Sequence, residues 1–497
     1  MSKHKEIKLV YTGHPLVDVG IATIIAFAGK NRPDQIEEAD LEKIADFMAR
    51  QYVQNPLRGF LTVAFPNSGF TQPAFFKQPD KQQAYIERVL YAFRSDSPVL
   101  SETGAFMGLP VADVAFDVYD KLEPGRVFRQ HIPLQTGEGV INFHPYGDAG
   151  LLVSGLSILA IHAYPLGSAK CAGRTLSVHS DNPEIMVHFA HKFLEQNRQA
   201  IQTAQLEKSK KMPESHLKYR TLIMQTLIEA LDMQQDSQKD KEPFSISVYH
   251  LSNSGQGADL AIYHLPSQLI EYLAEMMSAS YRQAWQQIER SAWVRFKPKR
   301  GQKEAPSDFK PERNWLYEDL FNLADDPYHK GRHFIRTYFL REAMRRVDVT
   351  DPRGTYSTHK EAHLVSWRLT ECFLRRILYM DPERIEHIRQ LGDALADYVQ
   401  RQNDKRFFRA FYVENRYGYL RNSLIKANTA YVRNGHEPFL TLDNYISIFE
   451  DGEELASKDW RLARDLVLIR MVEQLYKNGW LGQNEDAIPT GEEENES

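Results

Sequence analysis

Asp381-Pro382-Glu383-Arg384-Ile385-Glu386-His387-Ile388-Arg389-Gln390-Leu391-Gly392-Asp393-Ala394-Leu395-Ala396-Asp397-Tyr398-Val399 opens with an acid–proline–acid helix start. It then places Ile385, Ile388, Leu391, Leu395 and Val399 on one face. Proline suits a first helical turn, where its missing N–H costs no bond, and the three- and four-residue spacing is that of an amphipathic helix. From Thr358 onward, Leu364, Trp367, Phe373, Leu374 and Ile377 make a second stripe, read as one helix. Short connections favour antiparallel neighbours, so residues 358–484 are expected to form an antiparallel helical bundle. The segment 485–497 is acidic and poor in apolar residues, and reads as a frayed tail.

Upstream of the bundle, residues 271–357 read as a helical and basic connecting region. Ile270 to Ile288 has one helical pattern, and a proline-punctuated basic stretch follows: Arg295-Phe296-Lys297-Pro298-Lys299-Arg300. Residues 1–270 have a different texture, that of an irregular mixed α+β domain. Pro15 and Asp18 can start a helix over 17–28, with Ile21, Ile24, Ile25 and Ala28 on one face. Leu41, Ile44, Phe47 and Met48 mark a second helix over 40–52, and 183–197 a third. Turn formers cluster at Asn55-Pro56, Pro66-Asn67-Ser68-Gly69 and Gln72-Pro73. Short β-type runs lie at 127–132, 140–143 and 151–153. The run 244–250 alternates as a strand does, 260–264 is its candidate partner, and the polar segment 252–257 is an exposed loop between them. Segments 202–216 and 232–243 are too polar for regular elements. The fold class is therefore α+β, with no internal repeat.

Hydrophobic residues make up 42% of the 497-residue chain and aromatics 11%, enough for a sizeable core. No window approaches the roughly 18 apolar residues of a membrane span. No export signal is evident, and two cysteines, Cys171 and Cys372, exclude a disulfide framework or a four-cysteine zinc site. A cytoplasmic location with no membrane partner is expected. Net charge is −5, but Arg282 to Asn434 holds 30 Lys+Arg against 20 Asp+Glu. Phosphate binding needs local rather than global positive charge. A solvated helical surface has the same composition.

Catalytic patterns are missing. There is no glycine-rich loop ending in Lys-Ser/Thr, no His-Glu-x-x-His and no complete Gly-x-Ser-x-Gly, since Asn253-Ser254-Gly255 lacks the first glycine. His359 and His363 are spaced as on one helical turn, with no third ligand fixed by sequence. Cys171, in Lys170-Cys171-Ala172-Gly173-Arg174, reads as a small buried residue before a turn. The chain is expected not to be an enzyme and to carry no cofactor or metal. Two polar loops, 66–72 and 252–257, combine amide side chains with glycine. Such residues can approach and read base edges, and they are equally ordinary turn formers.

Several stretches together resemble one family, the large subunit of type I-B (Tneap-type) CRISPR Cascade complexes. They are Tyr11-Thr12-Gly13-His14-Pro15-Leu16-Val17-Asp18-Val19-Gly20-Ile21-Ala22 with Gly29-Lys30, and Phe65-Pro66-Asn67-Ser68-Gly69-Phe70. Further on come Asn142-Phe143-His144-Pro145 with Gly147 and Gly150, Ala163-Tyr164-Pro165-Leu166-Gly167, Cys171-Ala172-Gly173-Arg174 and Asn253-Ser254-Gly255-Gln256-Gly257. The resemblance covers most of the first 270 residues. Many family members carry paired cysteine motifs for zinc, which would fall near 101–104 and 154–157. Both segments are cysteine-free here, so packing around Leu109, Phe116 and Leu156 is expected instead.

The resemblance implies a non-catalytic subunit of an antiviral ribonucleoprotein complex. It would recognise the protospacer-adjacent motif in duplex DNA, promote R-loop formation and dock a helicase-nuclease or transposon targeting proteins. Its partners would be target double-stranded DNA, the displaced single strand, the guide RNA and the backbone, foot and small subunits. Motif-reading candidates are Asn253, Ser254 and Gln256, then Asn67, Ser68 and Gln72. Arg295, Lys297, Lys299 and Arg300 are candidates for duplex phosphates. Arg375, Arg376, Lys405, Arg406 and Arg409 are candidates for the displaced strand, with Phe407, Phe408 and Tyr412 nearby for stacking. Met344 or Met380 could start a separate small subunit ending at Ser497. The rival expectations are a helical scaffold with a basic face, or a nuclease with a dispersed site.

Overall fold

The computed structural model describes residues 9–139, 147, 149–235, 242–254, 257–297, 306–324, 326–450 and 455–488. The chain divides into two compact units, residues 1–219 with 241–267 and residues 220–240 with 268–497.

In the first unit the helices are α1 (Pro15–Phe27), α2 (Glu38–Gln51), α3 (Leu57–Leu61), α4 (Pro79–Leu90), α5 (Gly155–Ala163) and α6 (Pro183–Leu206). α1 is buried at every position from Leu16 to Ala26, and α5 along its whole length. Helices apolar on all sides run through a core rather than along its surface. They cross so closely at Gly20 that a methyl there would overlap the Ala160 carbonyl. On α2, Leu41, Ile44 and Met48 are buried as the periodicity requires. α6 runs past 197 to Leu206, into a segment whose polarity had suggested a loop.

Two small ladders pair β1 (Val99–Thr103) with β2 (Pro110–Ala112) and β3 (Arg126–Val127) with β4 (Leu151–Leu152), all antiparallel. The expected strand over 127–132 is thus confined to its first residue, and 140–143 lies outside the described residues. A four-stranded antiparallel sheet follows in the order β5 (Ala169–Cys171), β6 (Arg174–Ser180), β7 (Ile246–Ser252) and β8 (Asp259–Leu265). β7 and β8 are the expected partners. Between β5 and β6, Ala172 and Gly173 both have positive φ, 49° and 73°, as a two-residue hairpin turn demands. Cys171 is buried just before that turn, and burial pushes its thiol up to about 12.

The second unit takes in α7 (Tyr219–Gln235) from Arg220 onward, a helix that the sequence had grouped with the first domain. The pattern from Ile270 to Ile288 is two helices, α8 (Ser267–Met276) and α9 (Arg282–Ser291). Ser278-Ala279-Ser280 separates them, and serine hydroxyls compete with helical backbone bonds. α10 (Trp315–Leu323) and α11 (Pro327–Phe334) lead into a π-helical turn, Ile335–Phe339. Then come α12 (Trp367–Arg376), α13 (Pro382–Gln402), α14 (Lys405–Val413), α15 (Tyr417–Arg433), α16 (Leu442–Phe449), α17 (Trp460–Lys477) and α18 (Trp480–Gln483).

The helices described within segment 271–357 pack into this unit's core rather than merely connecting. Trp285 is fully buried and packs edge-on to Tyr272, and Arg332 and Arg336 reach Asp465 on α17. α13 buries Ile385, Ile388, Leu391, Leu395 and Val399 as expected. Its partner corrects the expected topology. Arg384 bonds Asp459, Asp393 bonds Arg470 and Asn403 bonds Trp480, so α13 and α17 run parallel. The short α14 returns the chain: Lys405 pairs with Asp486 and Glu414 with Arg464, antiparallel to α17. The second expected stripe also shortens. α12 starts at Trp367, capped by Ser366, and Leu364 belongs to a separate 3-10 turn. His359 precedes that turn, so it shares no helix with His363. No helix among the described residues is long and apolar enough to cross a membrane.

Candidate nucleic-acid interface

The loop after α3 and the loop after β7 meet in the first unit, and Asn253 is their junction. Its N–H donates to Val63 O (2.7 Å), and its amide Nδ2 donates to Ala64 O (2.9 Å) and Arg129 O (3.1 Å). Arg129 answers from Nε to Asn253 Oδ1 (3.0 Å), and from Nη2 to the carbonyls of Asn253 and Ser254 (3.0 and 2.9 Å). Asn253 is fully buried and its side-chain amide is spent on these bonds. It therefore holds two loops together rather than facing a base, which corrects its expected role. Ser254 is exposed beside it, while Gln256 lies outside the described residues.

In the other loop, Asn67 stands exposed at its tip with φ of 61°, and Gln72 is half-exposed. Ser68 is buried, its hydroxyl 3.1 Å from Thr71 Oγ1, which donates to Phe65 O (2.7 Å). It too is structural. Phe70 anchors the loop in the core, edge-on to Tyr52 and Tyr85. Gly69 lets the backbone lie flat on the Tyr85 ring, where a Cβ would collide.

Beneath the loop lie two neutral histidines. Burial pushes His162 down to about 3 and His131 down to about 4. His162 stacks on Phe65 at 4.5 Å, and His131 bonds Phe116 O at 2.9 Å. Where α1 begins, Asp18 accepts from Thr12 N, Thr12 Oγ1 and Gly13 N at 2.7–2.8 Å, with His179 Nε2 at 3.1 Å. Burial favours the neutral acid, but these bonds hold the carboxyl below its ordinary range. The Thr-Gly-His stretch is thus fastened to the sheet.

Segments 101–104 and 154–157 also meet. Ala105 N donates to Leu152 O (2.8 Å), and a Cβ on Gly104 would sit 3.0 Å from Ser154 N. Ser154 caps α5 and shares a 2.9 Å hydroxyl bond with Ser157. Phe116 and Leu156 are buried in the core that Leu109 packs against.

The basic candidates are scattered. Arg295 and Lys297 are exposed, with Lys297 3.6 Å from Asp348, while Lys299 and Arg300 lie outside the described residues. Arg375 pairs with Glu371, Arg376 with Glu275 (3.0 Å) and Lys405 with Asp486 (2.9 Å). Arg406 and Arg409 are exposed. Phe407, Phe408 and Tyr412 are buried, which corrects their expected stacking role. Arg129 was missed. A single arginine in the mixed stretch Arg126-Val127-Phe128-Arg129-Gln130-His131 carries no pattern, and only the folded junction shows its use. No family model and no curated protein matches this chain.

Proposed function

We infer that this chain is the non-catalytic, target-recognising large subunit of an RNA-guided DNA surveillance complex of the type I-B CRISPR kind. The observation that carries the reading is the junction of the two polar loops. Asn253 bonds the Val63 and Ala64 carbonyls just ahead of the 66–72 loop, Arg129 bonds Asn253 and Ser254, and Asn67 and Ser254 are exposed on their two loops. The contact between segments 101–104 and 154–157 adds support, because the resemblance expects those two segments to share one site. In this reading the loops recognise a short motif in duplex DNA, and base pairing with the guide RNA reads the rest. Neighbouring subunits hold the guide, and a helicase-nuclease or transposon targeting proteins dock afterwards.

The test selects bound DNA from a library of randomised flanking sequences, using guide-loaded complexes that carry Asn67→Ala, Ser254→Ala or Gln256→Ala. A true base reader loses about 1–3 kcal/mol of discrimination at one motif position. Unchanged motif preference in all three variants would remove these loops from recognition. The rival scaffold reading draws on the ion-paired state of Arg375, Arg376 and Lys405. It predicts that no variant changes sequence preference.

A further inference from the structure

We propose that β8 is a docking edge at which a second copy of this chain pairs antiparallel, joining two four-stranded sheets into one continuous sheet. The strand order β5-β6-β7-β8 leaves two edges, and the chain treats them differently. The β5 edge is covered: Ser215 N donates to Lys170 O (3.0 Å), and Lys170 Nζ donates to Met212 O (2.8 Å). β8 has no such cover. Among the described residues, the backbone of Leu260, Ala261, Ile262 and His264 makes no hydrogen bond beyond the β7 ladder. A strand bonded on one side only turns N–H and C=O groups outward, where another extended chain can complete them.

Exposed edges are ordinarily blunted by lysine, proline, a bulge or a very short strand. β8 uses none of these. Asp259-Leu260-Ala261-Ile262-Tyr263-His264-Leu265 contains neither residue type, and its seven pairs with β7 run without a bulge. Its one carboxylate, Asp259, is paired with Arg174. The strand is also apolar where it meets solvent. Leu251 on β7 is buried with Leu16 and Val19 of α1, but its cross-strand partner Leu260 is 39% exposed and Ile262 is 43% exposed. The cover that α1 gives Leu251 therefore leaves two aliphatic side chains of the edge in water.

The edge matches itself, which identifies the occupant. Residues opposite one another in an antiparallel pair share a face. A two-fold axis through Ala261 sets Leu260 of one copy opposite Ile262 of the other, and does so twice. The same register sets Asp259 opposite Tyr263, so no like charges meet. Two open, self-complementary edges on copies of one chain have the backbone bonds and the aliphatic pairs needed to join.

The inference goes beyond the recognition reading and does not rest on it, because it concerns the free full-length chain. Sedimentation velocity on that chain, from about 1 to about 300 µM, covers the range in which small interfaces assemble. Monomer should give way to dimer across it. Ile262→Lys and Leu260→Lys should each raise the dissociation constant about ten-fold, since the two-fold axis makes each substitution act at both pairs. Both side chains are solvent-exposed, so the melting curves should match that of the natural protein. Leu206→Lys, at an apolar side chain 85% exposed on α6, should leave the dimer intact. In the natural protein, amide exchange at residues 260–264 should slow as concentration rises. A monomer throughout the range overturns the proposal, and is the result expected if β8 instead receives a strand of a different protein. A dimer that both lysine variants leave intact, or exchange at 260–264 that ignores concentration, overturns it as well.

Discussion

Asn253→Ala separates a structural junction from a base reader. The substitution removes two neutral bonds, to Ala64 O and Arg129 O, and one charge-assisted bond from Arg129. Neutral bonds contribute about 1 kcal/mol each and a bond to a charged group about 1.5–3 kcal/mol, so the loss is ~3.5–5 kcal/mol. The side chain is fully buried, so solvent replaces little of this. The assay is amide hydrogen exchange on the full chain, which resolves the first unit from the second and avoids a single global melting temperature. Protection should fall across residues 61–65, 127–132 and 246–254 and stay unchanged in α13 and α17. DNA binding should weaken for every flanking sequence alike. Natural protection with a selective loss of motif discrimination would refute the junction and restore Asn253 as a reader.

Gly20→Ala drives a methyl into the Ala160 carbonyl, so the variant should accumulate as insoluble chain or lose several kcal/mol; a soluble variant with the natural melting curve would contradict the close crossing of α1 and α5. Burial holds His131 and His162 at about 4 and about 3, so the unfolded chain binds more protons between those values and about pH 6.5. Their contribution is whole above about pH 6.5 and falls with acid, by up to about 1.4 kcal/mol per pH unit for each histidine. His162→Gln should flatten the pH dependence of stability, and an unaltered slope would speak against the buried neutral ring. On α17, Asp465 is fully buried among Arg464, Arg336 and Arg332, which outweigh its burial and keep it charged. Asp465→Ala leaves Arg332 and Arg464 without their shared carboxylate and Arg336 with Glu342 alone, at about 3–5 kcal/mol, read as lost protection throughout the second unit. A product starting at Met344 or Met380 lacks Arg332 and Arg336 as well. Expressed alone, it should unfold at lower temperature than the second unit does in the full chain; matching stability would disprove the role given to those arginines.

Periodicity revealed α2 and α13 because each has one wet face, and the hydrophobic stripe then names the buried residues. It was blind to α5, where Gly155 to Ala163 is apolar throughout and no face stands out. It also merged α8 with α9, since Tyr281 and Arg282 continue the spacing across a break that two serines impose. Helix direction failed for a related reason. α13 and α17 are parallel because α14, α15 and α16 intervene, and local connection lengths do not report which distant helices pair. Of the site, the two loops were legible as turn-rich and amide-rich. Which amides face outward was not, because Asn253 and Asn67 look alike until Arg129 arrives from 124 residues away.

The central claim is that this chain gives an RNA-guided complex its recognition of target DNA. The most direct measurement is DNA binding by the guide-loaded complex, with and without this protein, against a library of randomised flanking motifs. Binding that requires the chain and selects a short flanking motif is the predicted result. Binding of equal strength and equal selectivity in its absence would contradict the account.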